Sequence, residues 1–384
     1  MINHWYLQEE DYRRLATDSL AFVEGCKASS VDYVLAPGLD ASPFTRCFAI
    51  FIYHLIGNLR YRRDSESLED KIIEDLFAYK QERALVANLE SDKAFLQLLC
   101  MSLSALEVLN SSRYELEAVI EELVPSSVVK LLESVGAGKG VPTSGNIAMC
   151  TAIILIYAKR TRCLDADSAL EEWVSFHLNT INGKGFWSSH LTPYLQFQNG
   201  YHQYEIFEYL ELDIPQLNDA VELVHLLADS RGQFAPYYGG SGCYDYDAVS
   251  ILTFRDRDLT FSDKQLLSLT ARSILDDQDI KGGFSESKYL PVLHRNNLFK
   301  QVGHVVRANR LSLFERSRYF ISMARSQNNL CVTHWTSKHR NWGQPNLWDT
   351  WFRLLTLARI DIALNPANRA RWHFIDFPGL GYKG

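Results

Sequence analysis

Gly185-Phe186-Trp187, Gly232-Gln233-Phe234 and Gly282-Gly283-Phe284 share one pattern: a glycine, one further residue and an aromatic. The aromatics at 187, 234 and 284 are 47 and 50 residues apart, and Trp335 follows 51 residues later without the glycine. Backwards, Gly140 lies 47 residues before Trp187, and Gly38 lies 102 before Gly140, which is two further steps. A period of about 50 residues fits two helices and two turns. The number of marks predicts an all-α chain closed as an (α/α)6 toroid of helical hairpins. It forms one domain over residues 1–384, with residues 365–384 packing on the ring. An irregular helical bundle with unrelated glycines is the competing reading.

After each mark comes a polar or glycine-containing loop and then an apolar helix opening. These openings are Ser42-Pro43-Phe44, Gly145-Asn146-Ile147, Gly200-Tyr201-His202, Gly242-Cys243-Tyr244 and Pro345-Asn346-Leu347. Apolar residues at a 3.6-residue period predict helices over Leu68–Tyr79, Lys93–Leu109, Tyr114–Leu123, Ala166–Phe176, Ile214–Ala228, Ser262–Leu275, Leu311–Ala324 and Leu347–Leu364. Asp167 and Ser262 stand where N-caps are expected. No run alternates as a strand would. The more apolar helix of each pair, such as Ile147–Ala158, belongs inside, and the more charged one, such as Ala166–Phe176, outside.

The chain has 384 residues, 47% of them hydrophobic, enough for a large core. A net charge of −7 argues against a broad nucleic-acid footprint. The seven cysteines, 26, 47, 100, 150, 163, 243 and 331, are scattered without a C-x-x-C pair. That pattern points to a reducing compartment and away from a multi-cysteine zinc site. Glu9, Glu10 and Asp11 near the start do not suit a signal peptide, and Phe48–Ile56 and Ile147–Ala158 are too short to span a bilayer. A cytoplasmic protein without a membrane span is expected.

In a toroid the inner helix openings face a central cavity, so their polar residues are the candidate site. His202 and Glu205 are three apart and share a helix face. Asp245 and Asp247 flank Tyr246, so one fits a cap and the other the cavity. Asp349 follows Trp348, with His334, Trp335 and Trp342 nearby in sequence, and Tyr238 precedes the glycine-rich run 239–242. Tyr201 and Tyr204 add aromatic faces. Core packing and capping account equally well for the aromatics, His202 and Asp245. Asp276-Asp277-Gln278-Asp279 looks like a magnesium motif but sits at an outer helix end, so a structural role is expected.

Gln278-Asp279-Ile280-Lys281-Gly282-Gly283-Phe284 resembles the Gln-x-x-x-Gly-x-aromatic repeat of squalene/hopene-type terpenoid cyclases, helical toroids related to protein prenyltransferases. Asp245-Tyr246-Asp247-Ala248 is similar to the Asp-x-Asp-Asp motif of class II terpenoid cyclases, with Ala248 in place of the further aspartate. Ser241-Gly242-Cys243-Tyr244 is similar to the Asp-x-Cys-Tyr zinc segment of prenyltransferases, with Ser241 in place of the aspartate. The resemblance covers roughly residues 140–340. It implies an enzyme in which Asp247 protonates an isoprenoid while aromatic faces stabilise the carbocation. Aromatic platforms and separated carboxylates suit sugars too, with Asp247 paired to Glu205 or Asp349 and His202 as a base, in a glycosidase or lyase. A non-catalytic toroid that binds a small molecule is the third reading. No metal or other cofactor is expected, and the oligomeric state stays open.

Overall fold

The computed structural model describes residues 7–58, 64–111, 115–161, 166–188, 193–325, 330–331 and 333–384; Cys163 lies outside them. These residues are mostly helical. The described sheet is one two-residue antiparallel ladder, β1 (Leu330–Cys331) on β2 (Arg340–Asn341). The chain is all-α.

The described residues fall into two compact units. The first draws on Met1–Tyr61, Thr192–Tyr194 and Val221–His373. It holds α1 (Glu9–Gly25), α2 (Pro43–Leu55), α11 (Gly242–Leu252), α12 (Phe261–Asp276), α13 (Arg295–Val306), α14 (Leu313–Arg325) and α15 (Leu347–Leu364). The second draws on Arg62–Leu191, Leu195–Ala220 and Phe374–Gly384. It holds α3 (Ser65–Ala84), α4 (Lys93–Leu109), α5 (Glu115–Leu123), α6 (Val128–Ser134), α7 (Ser144–Arg160) and α8 (Ala166–Thr180). The remaining helices, α9 (Pro193–Tyr209) and α10 (Leu217–Leu227), have residues in both.

In each unit, helices buried all round pair with helices that bury one face. In the first unit α2, α11 and α15 are buried along nearly their whole length, and α15 packs on both α2 and α11. Burying Trp351, Phe352, Leu354 or Leu357 of α15 contributes roughly 2–3 kcal/mol per side chain relative to exposure. The half-buried helices α1 and α12 lie outside them, α1 against α2 and α12 against α11 and α15. In the second unit the buried helices α4 and α7 pack together, with α3 on α4 and α8 on α7. The sequence predicts this difference in burial between paired helices, the apolar Ile147–Ala158 against the more charged Ala166–Phe176.

Several helix starts are set by side-chain caps. The Asn346 carboxamide accepts the Asp349 N–H to open α15, Asp92 opens α4, and Ser42 forms a capping box with Thr45 ahead of Pro43 in α2. Three expectations need correction. The box of α12 is Thr260 with Asp263, two residues before the expected Ser262. Asp167 is not a cap but lies in the first turn of α8, 2.6 Å from Lys159. Gly200 does not open a helix. It lies inside α9, where a Cβ would come 2.7 Å from the Phe186 ring, so it serves close packing rather than a turn.

The three sequence marks share one turn. Asn182, Asp229 and Asp279 each accept, through backbone oxygen, the N–H of the glycine three residues on, at 3.0, 3.0 and 2.8 Å. Each also donates its own N–H to the carbonyl four residues on. Their side chains accept the N–H groups of Lys184, Arg231 and Lys281. Gly185, Gly232 and Gly282 have φ of 79°, 71° and 89°, where a side chain is strained. The aromatic after the turn is then tied to the next buried helix. Asp245, fourth residue of α11, accepts the Phe234 N–H at 2.8 Å, and Thr350, fourth residue of α15, accepts the Phe284 N–H at 2.9 Å.

The acidic run Asp276–Asp279 is used within this framework. Asp277 pairs with Arg231 at 3.0 Å and Lys288 at 2.7 Å, and Gln278 donates to the Gly282 carbonyl at 2.9 Å.

Candidate functional site

Four carboxyls and two guanidiniums gather at the openings of α11 and α15. Asp245, Asp247 and Asp349 come from these helices, and Glu286 comes from the loop just after Phe284. Arg340 comes from β2 and Arg353 from the second turn of α15. All six are buried.

Asp245 is bound in the framework. Arg353 Nη1 donates to its Oδ2, while Oδ1 holds the Phe234 N–H. Arg353 Nη2 also reaches the Glu286 carbonyl at 3.2 Å. Burial pushes the Asp245 carboxyl up to about 6 against the pull of Arg353. At the equivalent position of α15, Thr350 captures a backbone N–H without any charge, which marks the Asp245 contact as part of the repeat.

Asp349 is different. Its backbone N–H goes to the Asn346 cap, and its Oδ2 accepts from the Asn346 carboxamide. Arg340 Nη2 stands 3.5 Å from the same oxygen. Burial pushes the Asp349 carboxyl up to about 8, helped by the charge of Glu286 and by a side-chain hydrogen bond between the two. Glu286 also accepts from the Tyr237 hydroxyl, whose own pKa is raised first by burial and then by Glu286. The Cys243 thiol is pushed well up by burial, with Glu286, Asp247 and Asp349 adding to the effect. Among the described residues, the buried Nε and Nη1 of Arg340 have no hydrogen-bond partner.

Aromatic residues adjoin this cluster. Trp348, next to Asp349 in the chain, packs on Trp335 at 4.0 Å between ring centroids, on Phe352 at 4.4 Å and on Phe48 at 5.1 Å. His334 is exposed and meets Phe44 edge-on, and the Trp335 carbonyl accepts from Ser42 Oγ at 2.6 Å. Trp342 is half-buried in the turn after β2.

Tyr238 stands elsewhere in the same unit. It lines a cleft of about 530 Å³ with His304, Asp229, Lys300 and Arg307 among the other walls. Its N–H donates to Gln301 at 3.0 Å.

His202, Tyr201, Tyr204 and Glu205 belong to α9 in the second unit. All four are buried. His202 is held uncharged by burial, with Lys93 adding to the effect, and its Nε2 meets the Asn146 carboxamide. The Tyr204 hydroxyl donates to the Gly185 carbonyl at 2.8 Å, and its ring packs on Phe186 and Trp187, a core role. Among the described residues no group of three or more His, Cys, Asp or Glu side chains is arranged to hold a metal ion, and Cys243 Sγ faces Ser241 Oγ at 3.7 Å.

Sequence reasoning missed Glu286, Arg340 and Arg353. Arg353 had a signal: a base in the largely apolar helix Leu347–Leu364, four residues after Asp349. Glu286 had a weaker one, two residues past a repeat aromatic. Arg340 had none.

No protein-family model matches the chain, and no curated protein matches it.

Proposed function

We propose that the chain is a general-acid enzyme of the class II terpenoid-cyclase type, built as an (α/α)6 toroid, that protonates an isoprenoid alkene from the carboxyl cluster at α11 and α15. What supports this reading is the burial of Asp349 in the carboxyl cluster, where desolvation and the charge of Glu286 push its carboxyl well above the ordinary range. An alkene is a weak base and needs a desolvated, neutral acid. Asp247, aligned with the acid of the cyclase motif, is buried on α11 and helps raise the Cys243 thiol. Trp335, Trp348 and Phe48 supply the faces that stabilise a cation by their ring quadrupoles. The alternation of buried and half-buried helices supports the toroid.

The step balances without a further reagent. The carboxyl proton forms a C–H bond at one alkene carbon, ring closure consumes the resulting cation, and loss of a proton elsewhere returns an isomer of the substrate. The experiment is incubation with acyclic prenyl alcohols and diphosphates of graded length in D2O, read by mass spectrometry. A product isomeric with the substrate that carries one deuterium at a new C–H position is expected. Asp349→Asn and Asp247→Asn identify the donor by which of them abolishes that label. No conversion of any chain by folded protein refutes the reading.

A further inference from the structure

The segment 293–325, which contains α13 and α14, has a composition unlike the rest of the chain. It carries six arginines and one lysine against a single acid, Glu315, within a protein of net charge −7. Glu315 is buried and its carboxylate accepts the Tyr194 N–H at 2.8 Å, so no acid of this segment reaches its surface. The same segment holds eight of the sixteen exposed large hydrophobic residues among the described residues. Phe299, Val302 and Val306 recur along one stripe of α13, with Phe299 74% and Val306 76% exposed. Leu311, Leu313 and Phe314 continue the apolar surface through the turn into α14, Phe314 being 65% exposed. Asn309 ties this turn to the Leu226 carbonyl at 2.6 Å, and Leu226 is itself exposed. Lys300, Arg307, Arg310 and Arg318 are exposed within the same segment.

We infer that α13, the turn after it and the start of α14 form a docking face for an anionic lipid bilayer, with Phe299, Val306 and Phe314 entering the acyl boundary and the flanking arginines and lysine meeting headgroups. An exposed apolar surface of this extent needs a cover. A second copy is disfavoured, because a two-fold contact would set one cationic face against another. A soluble apolar partner would satisfy the hydrophobic residues but not this charge bias. A bilayer bearing acidic lipids satisfies both, since long basic side chains keep their charges at the headgroups while their stems cover apolar surface. No helix among the described residues is long and apolar enough to cross a membrane, so the contact lies in the interface plane. The inference stands on this surface alone and does not depend on the proposed chemistry.

The test is flotation of the full chain with phosphatidylcholine vesicles, with and without phosphatidylserine, across a salt series. Binding to the phosphatidylserine vesicles that weakens with salt is expected. Phe299→Ser with Phe314→Ser should weaken it roughly tenfold or more. Arg307→Glu and Arg310→Glu should each weaken it about fivefold or more. All four changes are at exposed positions, and an unchanged melting temperature checks that each variant is folded. Absence of binding to acidic vesicles overturns the inference, as does binding that these variants leave unchanged. A dimer in solution that the phenylalanine variants dissociate also overturns it, in favour of a second copy.

Discussion

The Asp349 carboxyl is pushed up to about 8 chiefly by burial and by the charge of Glu286. Arg340 opposes them from 3.5 Å and does not prevail. The folded state therefore binds more protons than the unfolded state between 3.8 and about 8. Stability contributed by this group is full below 3.8 and is lost as pH rises to about 8. Asp349→Asn removes that dependence. Its melting temperature should gain on wild type steadily from about pH 4 to about pH 8 and hold the gain above it. A constant difference across that range would show that Asp349 is not the group holding the proton. The same substitution should lower turnover by about a hundredfold, with folding intact. Arg353 makes a second case. Arg353→Met leaves Asp245 buried without its cation and should cost about 3 kcal/mol or more in denaturant unfolding. Adding Asp245→Thr should restore most of the loss, since Thr350 already accepts a backbone N–H at the equivalent position. Failure of the double variant to recover would mean that the charge pair itself, and not the N–H contact, holds the turn. Asp247 and Asp349 were legible in sequence because acids at apolar helix openings stand out. Glu286 and Arg340 were not, because they arrive from loops whose approach depends on tertiary contacts.

Elements were legible where periodicity and a cap agree. Asp92 and Asn346 cap α4 and α15, and both helices span the residues that their apolar pattern predicts, Lys93–Leu109 and Leu347–Leu364. Helices α1 and α13 gave no such signal. Gln8 and His294 precede them without a side-chain cap, and α13 turns an apolar stripe to the outside. Glycine was the ambiguous letter, since Gly282 makes a turn and Gly200 makes room for a ring. Two substitutions separate these environments. Gly282→Ala places a Cβ 2.0 Å from the Asp18 carbonyl oxygen at a φ of 89°, and should lose more than about 2 kcal/mol. Gly303→Ala lies within α13 with nothing within 4 Å of the new Cβ, and should gain roughly 0.5–1 kcal/mol. Equal effects in urea unfolding would deny that the repeat glycine is fixed by its turn.

At the scale of the whole molecule, the chain does not divide at one point. The first unit takes its last residues up to His373, and the second takes Phe374–Gly384. The periodicity of the repeat carries no information about this interleaving, because one hairpin period looks the same in either unit. The tail itself was legible as a packed segment from its aromatic content, and its contacts now have names. Phe377 is fully buried and meets Tyr157 edge-on, with Arg160 over its ring at 5.4 Å. Tyr382 meets Tyr209 at 4.9 Å. Lys383 reaches Glu208 at 3.1 Å, both side chains being 3% exposed. Desolvating an ammonium is costly unless its carboxylate is fixed in place. Lys383→Ala removes that ammonium from beside a buried carboxylate and should cost about 3 kcal/mol. Removing 374–384 should cost more, because it also strips Phe377, Ile375 and Leu380 from the second unit, at roughly 2 kcal/mol for each buried side chain. The order of the two losses is the discriminating measurement. If the truncated chain melts with wild type, the tail is bound too weakly to matter. If Lys383→Ala alone accounts for the whole loss, the tail is held by its last charge and its aromatics contribute nothing measurable.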